Sequence, residues 1–278
     1  MKRIKALLFC LSFGPFCAAW GEEPVRELYK EVGVHDLYLH IFYPPGHDPK
    51  TDRRPALIFF FGGGWVGGTP TQFYPQCEHL AKRGMVAISA EYRVNSRHKV
   101  TPLGCVEDGK SALRWVRAHA KKLGVDTRRI AAGGGSAGGH VAAAVATVAG
   151  LDASGDDLSV SCLPDALVLF NPVYDNGPGG FGYAKLKDRY REISPMHNLK
   201  QGMPPTIVFL GDQDKLIPVS TAEKFRDRMR ELGNRSELLV YPGQPHGFFN
   251  QGKPGDGYSN TLAEMDRFLV SLGWIEPK

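Results

Sequence analysis

Cysteine is scarce in this chain, with five in 278 residues. Cys10 and Cys17 fall in an apolar N-terminal run and lack the small-residue context of a lipoprotein. The other three, Cys77, Cys105 and Cys162, form no C-x-x-C and no zinc-ligand spacing. That excludes a dithiol redox motif and gives no reason to expect a metal. An odd count leaves at least one thiol unpaired within the chain, and structural burial of all three is expected. Long apolar runs are also missing. Residues 6–19, broken by Gly14-Pro15, stop short of the ~20 residues that a spanning helix needs. No charge of one sign dominates. The formal charge is +5, and removing Lys2, Arg3 and Lys5 leaves +2. This is too little to imply nucleic acid or a membrane surface as partner. Internal repeats and low-complexity tracts are absent, and no boundary marks a second domain.

The N-terminal run reads as a leader. Met1-Lys2-Arg3-Ile4-Lys5 is a basic start, an apolar stretch follows, and Ala19-Trp20-Gly21 or Cys17-Ala18-Ala19 offers a cleavage site. Residues 1–21 are therefore expected to be a signal peptide and the protein to be secreted or periplasmic. Residues 22–278 are expected to form one domain.

Within that domain, apolar strand patterns alternate with helical ones. Residues 27–31 and 36–43 read as strands, the second alternating as Leu37, Leu39, Ile41. Residues 55–61 form a continuous apolar run, as a strand buried on both faces requires. Further strands are expected at 85–90, 129–132, 166–170, 206–210 and 237–241. Helices are expected at 74–83, 102–123, 141–149, 219–232 and 259–272. This order implies an α/β fold with a mostly parallel sheet flanked by helices. Residues 171–200, rich in glycine and proline, read as a small lid-like insertion. The first strand follows the leader so closely that no large cap domain is expected before it.

Gly134-Gly135-Ser136-Ala137-Gly138 is the stretch that carries chemistry. It fits G-x-S-x-G, a sharp strand-to-helix turn that holds a serine in strained geometry. Serine is a weak nucleophile and needs a base held by a third group. Two segments behind later strands supply candidates. Gly211-Asp212-Gln213-Asp214 offers two carboxylates, and Pro245-His246-Gly247 offers a histidine. Asp175 is a more distant acid. The order Ser…Asp…His fits Ser136 as nucleophile and His246 as base. Spacing alone does not separate Asp212 from Asp214. His140, one helical turn after Ser136, is expected to be structural. Gly62-Gly63-Gly64 ends a strand where backbone must approach a ligand without a Cβ. Main-chain N–H groups of Gly63 and Gly64, with that of Ala137, would bind an oxyanion. The loop lacks a following Lys-Ser/Thr and any G-x-G-x-x-G, so no nucleotide and no cofactor is expected. Trp65 and Phe248, next to these motifs, are expected to contact substrate.

Phe61-Gly62-Gly63-Gly64-Trp65, Glu91-Tyr92-Arg93, Gly134 to Gly138, Gly211-x-x-Asp214 and His246-Gly247-Phe248 occur in this order. In them the chain resembles the α/β-hydrolase esterases of the hormone-sensitive-lipase-like and BD-feruloyl-esterase-like group. The resemblance implies the α/β-hydrolase fold and carboxylic ester hydrolysis. It also implies a triad of Ser136, Asp214 and His246, which breaks the tie between the two aspartates. One departure is Phe61, where the family usually has a histidine; a phenylalanine donates no hydrogen bond to brace the glycine loop. The expected substrate is a short-chain, acetyl-like ester of a carbohydrate or plant-type polymer. Phe181, Tyr183 and Tyr190, set among charges in the insertion, suit a sugar or phenolic ring better than a fatty chain. Two rival readings are a prolyl-oligopeptidase-type peptidase and a binding protein on an inactive hydrolase scaffold.

Overall fold

The computed structural model describes residues 23–278. The expected leader lies outside the described residues. In chain order the elements are β1 (Val25–Val32), β2 (His35–Phe42), β3 (Arg54–Phe60), α1 (Tyr74–Lys82), β4 (Val86–Ala90), α2 (Asn95–His98), α3 (Pro102–Ala118), α4 (Ala120–Leu123), β5 (Val125–Gly135), α5 (Ala137–Thr147), β6 (Ala166–Phe170), α6 (Tyr183–Leu186), β7 (Thr206–Gly211), α7 (Val219–Glu231), β8 (Ser236–Tyr241) and α8 (Gly257–Ser271).

The strands form one eight-stranded sheet in the order β1-β2-β4-β3-β5-β6-β7-β8. β1, β2 and β4 pair antiparallel. Every pairing from β4 through β3 to β8 is parallel. The continuous apolar runs follow from this, because helices cover both faces of the parallel part. Alternate residues serve opposite layers. Ala56, Ile58 and Phe60 of β3 pack with residues of α3, α5 and α7, while Leu57 and Phe59 pack with residues of α1 and α8. β6 splits the same way, Leu167 and Leu169 to one layer, Ala166, Val168 and Phe170 to the other.

Two features differ from the sequence reading. The helix expected over residues 102–123 breaks at His119, whose ring bonds back to the Trp115 carbonyl at 2.8 Å. β5 starts at Val125 rather than Arg129, with a register shift against β3 between Arg54 and Ala56. Residues 171–200 contain α6 and the 3-10 turns Lys187–Glu192 and Pro195–Asn198.

That insertion is fastened down. Leu186 and Ile193 pack with Val106 of α3 and with Ala144 and Val148 at the end of α5. Cys77, Cys105 and Cys162 are free and buried. Among the described residues no helix is long and apolar enough to cross a membrane. No cluster of three or more metal-ligating side chains occurs among them either.

Candidate active site

The parallel strands end along one edge of the sheet, where such folds bind ligands. Gly62 follows β3, Ser136 follows β5, Asn171 follows β6, and Asp214 and His246 lie in the loops after β7 and β8.

Ser136 sits between β5 and α5 at φ +54°, ψ −118°. This is left-handed backbone that a non-glycine residue adopts at a cost of ~1–3 kcal/mol. The glycines around it let α5 begin directly against β3. A Cβ on Gly138 would lie 2.0 Å from the Phe60 carbonyl oxygen and 2.3 Å from that of Phe61. The elbow is also pinned to β6, since the Ser136 N–H donates to the Phe170 carbonyl at 2.9 Å.

Asp214 and His246 meet. His246 Nδ1 lies 2.6 Å from Asp214 Oδ2, and the aspartate side chain is fully buried. The other carboxylate oxygen accepts the Leu216 and Ile217 N–H groups at 2.8 and 3.0 Å. Burial alone would raise this carboxyl's pKa. The bonds from His246, Ile217 and Leu216 outweigh it and hold the group below the usual carboxylate range. Asp214 is thereby kept charged where it can orient the imidazole. The two rival acids are occupied elsewhere. Asp212 is exposed and accepts the Gly243 N–H at 2.7 Å. Asp175 accepts the Gly177 N–H at 2.7 Å.

Asn171 is a neighbour that sequence reasoning missed. It is fully buried at φ +35°. Its Oδ1 accepts the Gly247 N–H at 2.9 Å, which turns its amide nitrogen toward His246 Nε2, 3.5 Å away. Its position one residue past a predicted strand was the available signal.

The loop after β3 lies against the elbow. A Cβ on Gly62 would be 3.4 Å from Ser136 Cβ. Gly63 and Gly64 adopt φ +130° and +62°. The Phe61–Gly62 peptide is held at both ends. Tyr92 Oη donates to the Phe61 carbonyl at 2.7 Å, and the Gly62 N–H donates to Gln72 Oε1 at 2.6 Å. Phe61 is itself buried, its ring stacked on Tyr92 at 4.2 Å. Gly68 makes room for it, since a Cβ there would meet Phe61 Cδ2 at 2.5 Å. The brace that a histidine would give is thus replaced by Tyr92 and Gln72. The Glu91-Tyr92-Arg93 segment is a structural knot around them. Arg93 forms a two-pronged ion pair with Asp108, with Nε–Oδ2 and Nη2–Oδ1 both 2.8 Å.

Trp65 and Phe248 are only 1% and 2% exposed. Each backs the wall of a hollow, of about 200 Å³ beside Gly64 and about 390 Å³ beside His246, but offers little face to a substrate. Trp65 is held from behind, its Nε1–H donating to His140 Nδ1 at 3.3 Å. His140 Nε2 in turn lies 3.0 Å from both the Ile193 carbonyl and Asn176 Oδ1 of the insertion. Burial pushes the His140 pKa down to about 4, although those two partners favour the charged form. His140 is therefore a neutral structural clamp, as its sequence position suggested. Phe181, half-buried, packs against Trp65 with ring centroids 5.7 Å apart.

A strained serine, the glycine loop after β3 packed against it, and a histidine held by a buried carboxylate form a layout able to carry acyl transfer.

Comparison with known proteins agrees. Residues 39–162 match the BD-FAE family model and residues 165–275 the dienelactone hydrolase family model. The solved structure of Thermogutta terrifontis esterase 2 phosphoramylated by tabun is 46% identical, with a TM-score of 0.88 over 92% of this chain and 97% of that one. Other structures of that esterase are described as propionate-bound and butyrate-bound. Esterase LipC of Mycobacterium tuberculosis is 34% identical over 72% of this chain. Acetylxylan esterase of Xylanibacter ruminicola is 26% identical over 82% of it. The chain spans 55% and 46% of the length of these two curated relatives. Fold, motif order and near full-length likeness to esterase 2 agree, and the chain belongs to the α/β-hydrolase-fold esterases.

Proposed function

We propose that the protein is a serine carboxylesterase that cleaves short-chain acyl esters through an acyl-enzyme on Ser136. His246 Nε2 takes the Ser136 proton as Oγ attacks the ester carbonyl. The N–H groups of Gly63, Gly64 and Ala137 receive the oxyanion. Collapse expels the alcohol, which leaves with the proton from His246. Water then attacks the acyl-enzyme by the same route and releases the acid. Asp214 holds the imidazole tautomer and balances its transient charge. The observation that carries this reading is the 2.6 Å contact of His246 with the buried, charged Asp214, in the loops beside a strained serine.

The finer reading is a two- to four-carbon acyl group, acetyl above all, on a carbohydrate-like alcohol, with export by residues 1–21. Several points support it. Burying a longer chain needs apolar surface worth ~0.8 kcal/mol per methylene, and the buried apolar residues Leu186 and Ile193 of the insertion are spent on α3 and α5. The relative holding propionate or butyrate and the acetylxylan esterase relative point the same way.

A fluorophosphonate should label Ser136 alone, read by mass spectrometry, and no label on folded protein would sink the reading. On p-nitrophenyl esters and acetylated xylan, kcat/KM should peak at short acyl groups. A peak at eight carbons, taken as a rough mark of lipase behaviour, would overturn the finer reading. The N-terminal sequence of protein recovered from an expressing culture tests export.

A further inference from the structure

The glycine loop after β3 and the histidine loop after β8 are far apart in sequence, yet one chain of side-chain amides joins them. The Gly62 N–H donates to Gln72 Oε1 at 2.6 Å. Gln72 Nε2 donates to Asn250 Oδ1 at 3.0 Å. Asn250 Nδ2 donates to the carbonyl of Gly247, the residue after His246, at 2.7 Å. Each amide's orientation is fixed by the one before it. A backbone N–H can only donate, so Gln72 must present its oxygen to Gly62 and its nitrogen to Asn250. Asn250 must then accept from Gln72 and give its own nitrogen to the Gly247 carbonyl. Flipping either amide sets donor against donor at one end and acceptor against acceptor at the other.

The chain is not what holds the histidine loop in the fold. Phe248 and Phe249 are buried there, and Phe249 stacks against Phe73 at 5.7 Å. Gln76 also donates to the Phe249 carbonyl at 3.4 Å. What Gln72 and Asn250 add is registration between the two loops. Displacements of about 1 Å in such parts cost on the order of a hundredfold in rate.

We propose that Gln72 and Asn250 are positioning residues that act as one strut, setting the oxyanion-binding loop at a fixed distance from the His246 loop. The proposal rests on the reading of Ser136, His246 and the glycine N–H groups given above. The strut touches neither substrate nor reacting atoms. Its effect belongs to the transition state, where the carbonyl oxygen must reach the glycine N–H groups while the proton reaches His246.

The test is a double-mutant cycle on the full chain with Gln72→Met, Asn250→Leu and the double variant. These neutral substitutions keep side-chain length without placing a charge near the developing oxyanion. The readouts are kcat and KM for p-nitrophenyl butyrate, the rate of Ser136 labelling by a fluorophosphonate, and the thermal midpoint. Each single variant should lower kcat and the labelling rate by about tenfold, leave KM within about twofold, and remain folded at the assay temperature. The double variant should lose little more than either single one, because breaking either link already cuts the strut. Losses that multiply in the double variant, a change confined to KM, or an activity loss that vanishes on cooling would each overturn the strut while leaving the esterase reading intact. Wild-type protein that is not labelled at Ser136 would overturn both.

Discussion

Acid should erode the stability that His140 supplies well before the folded imidazole itself takes up a proton. Burial holds the imidazole at about 4 instead of its ordinary 6.5. The contact with Trp65 adds to this, because a proton on Nδ1 would face the Trp65 Nε1–H that now donates to it. The sign follows from where protons bind. Between pH 6.5 and 4 the unfolded chain takes up a proton at this residue and the folded chain does not. Protons then favour unfolding, so the stability that this histidine supplies is complete above about pH 6.5 and falls as pH drops toward 4. A gap of that size is worth about 3 kcal/mol in full, and about 2 kcal/mol of it is lost between pH 8 and pH 5. Other groups titrate in the same window, so the useful quantity is a difference. Gln at position 140 keeps an acceptor and a donor but does not titrate. Urea unfolding of wild type and His140→Gln at pH 8 and pH 5 should show the wild-type advantage shrinking by about 2 kcal/mol. An advantage that stays constant would mean that folded His140 accepts the proton as readily as the unfolded chain does. The assignment of a neutral, buried clamp would then be wrong.

Three further outcomes are expected. Asp214→Asn should lower kcat by about 10³ to 10⁴ with the fold intact by circular dichroism, since the imidazole loses its orienting carboxylate. Asp212→Asn, whose carboxylate only secures the Gly243 turn, should cost far less, and a reversed ranking would reject Asp214. Asn171→Asp brings a second negative charge toward His246, so the acidic limb of the kcat/KM profile should move to higher pH; a limb that stays in place would remove Asn171 from the site's electrostatics. Gly138→Ala must push α5 off the Phe60 and Phe61 carbonyls and should cost more than about 2 kcal/mol in urea unfolding.

The sequence made local features readable and hid those set by distant contacts. The elbow stood out because its strain is answered by glycines within two residues of Ser136. The buried strands stood out because helices on both faces demand unbroken apolar runs. Asp212 and Asp214 looked alike because what separates them is the turn after β7, where the Leu216 and Ile217 N–H groups converge on one carboxylate. The early start of β5 was concealed by Asp126, Arg128 and Arg129, polar residues at a register shift. The burial of Trp65 and Phe248 was hidden for a similar reason. Their depth is set by His140, the insertion and α8, which pack around them from distant parts of the chain. The replacement of the family histidine by Phe61 was legible, but its remedy was not. It lies in Tyr92, in Gln72, and in the space left by Gly68.

The way residues 171–200 are fastened bears on how the protein would meet substrates that do not dissolve. Lipases that wake at an oil–water boundary do so because a cover swings aside when droplets form. Here Leu186 and Ile193 already pack against Val106 of α3 and Ala144 of α5, and His140 holds the same segment through the Ile193 carbonyl. Among the described residues, the segment is already fastened at Leu186 and Ile193. With a sparingly soluble ester, turnover should track the dissolved concentration and level off at the solubility limit, with no jump when an emulsion appears.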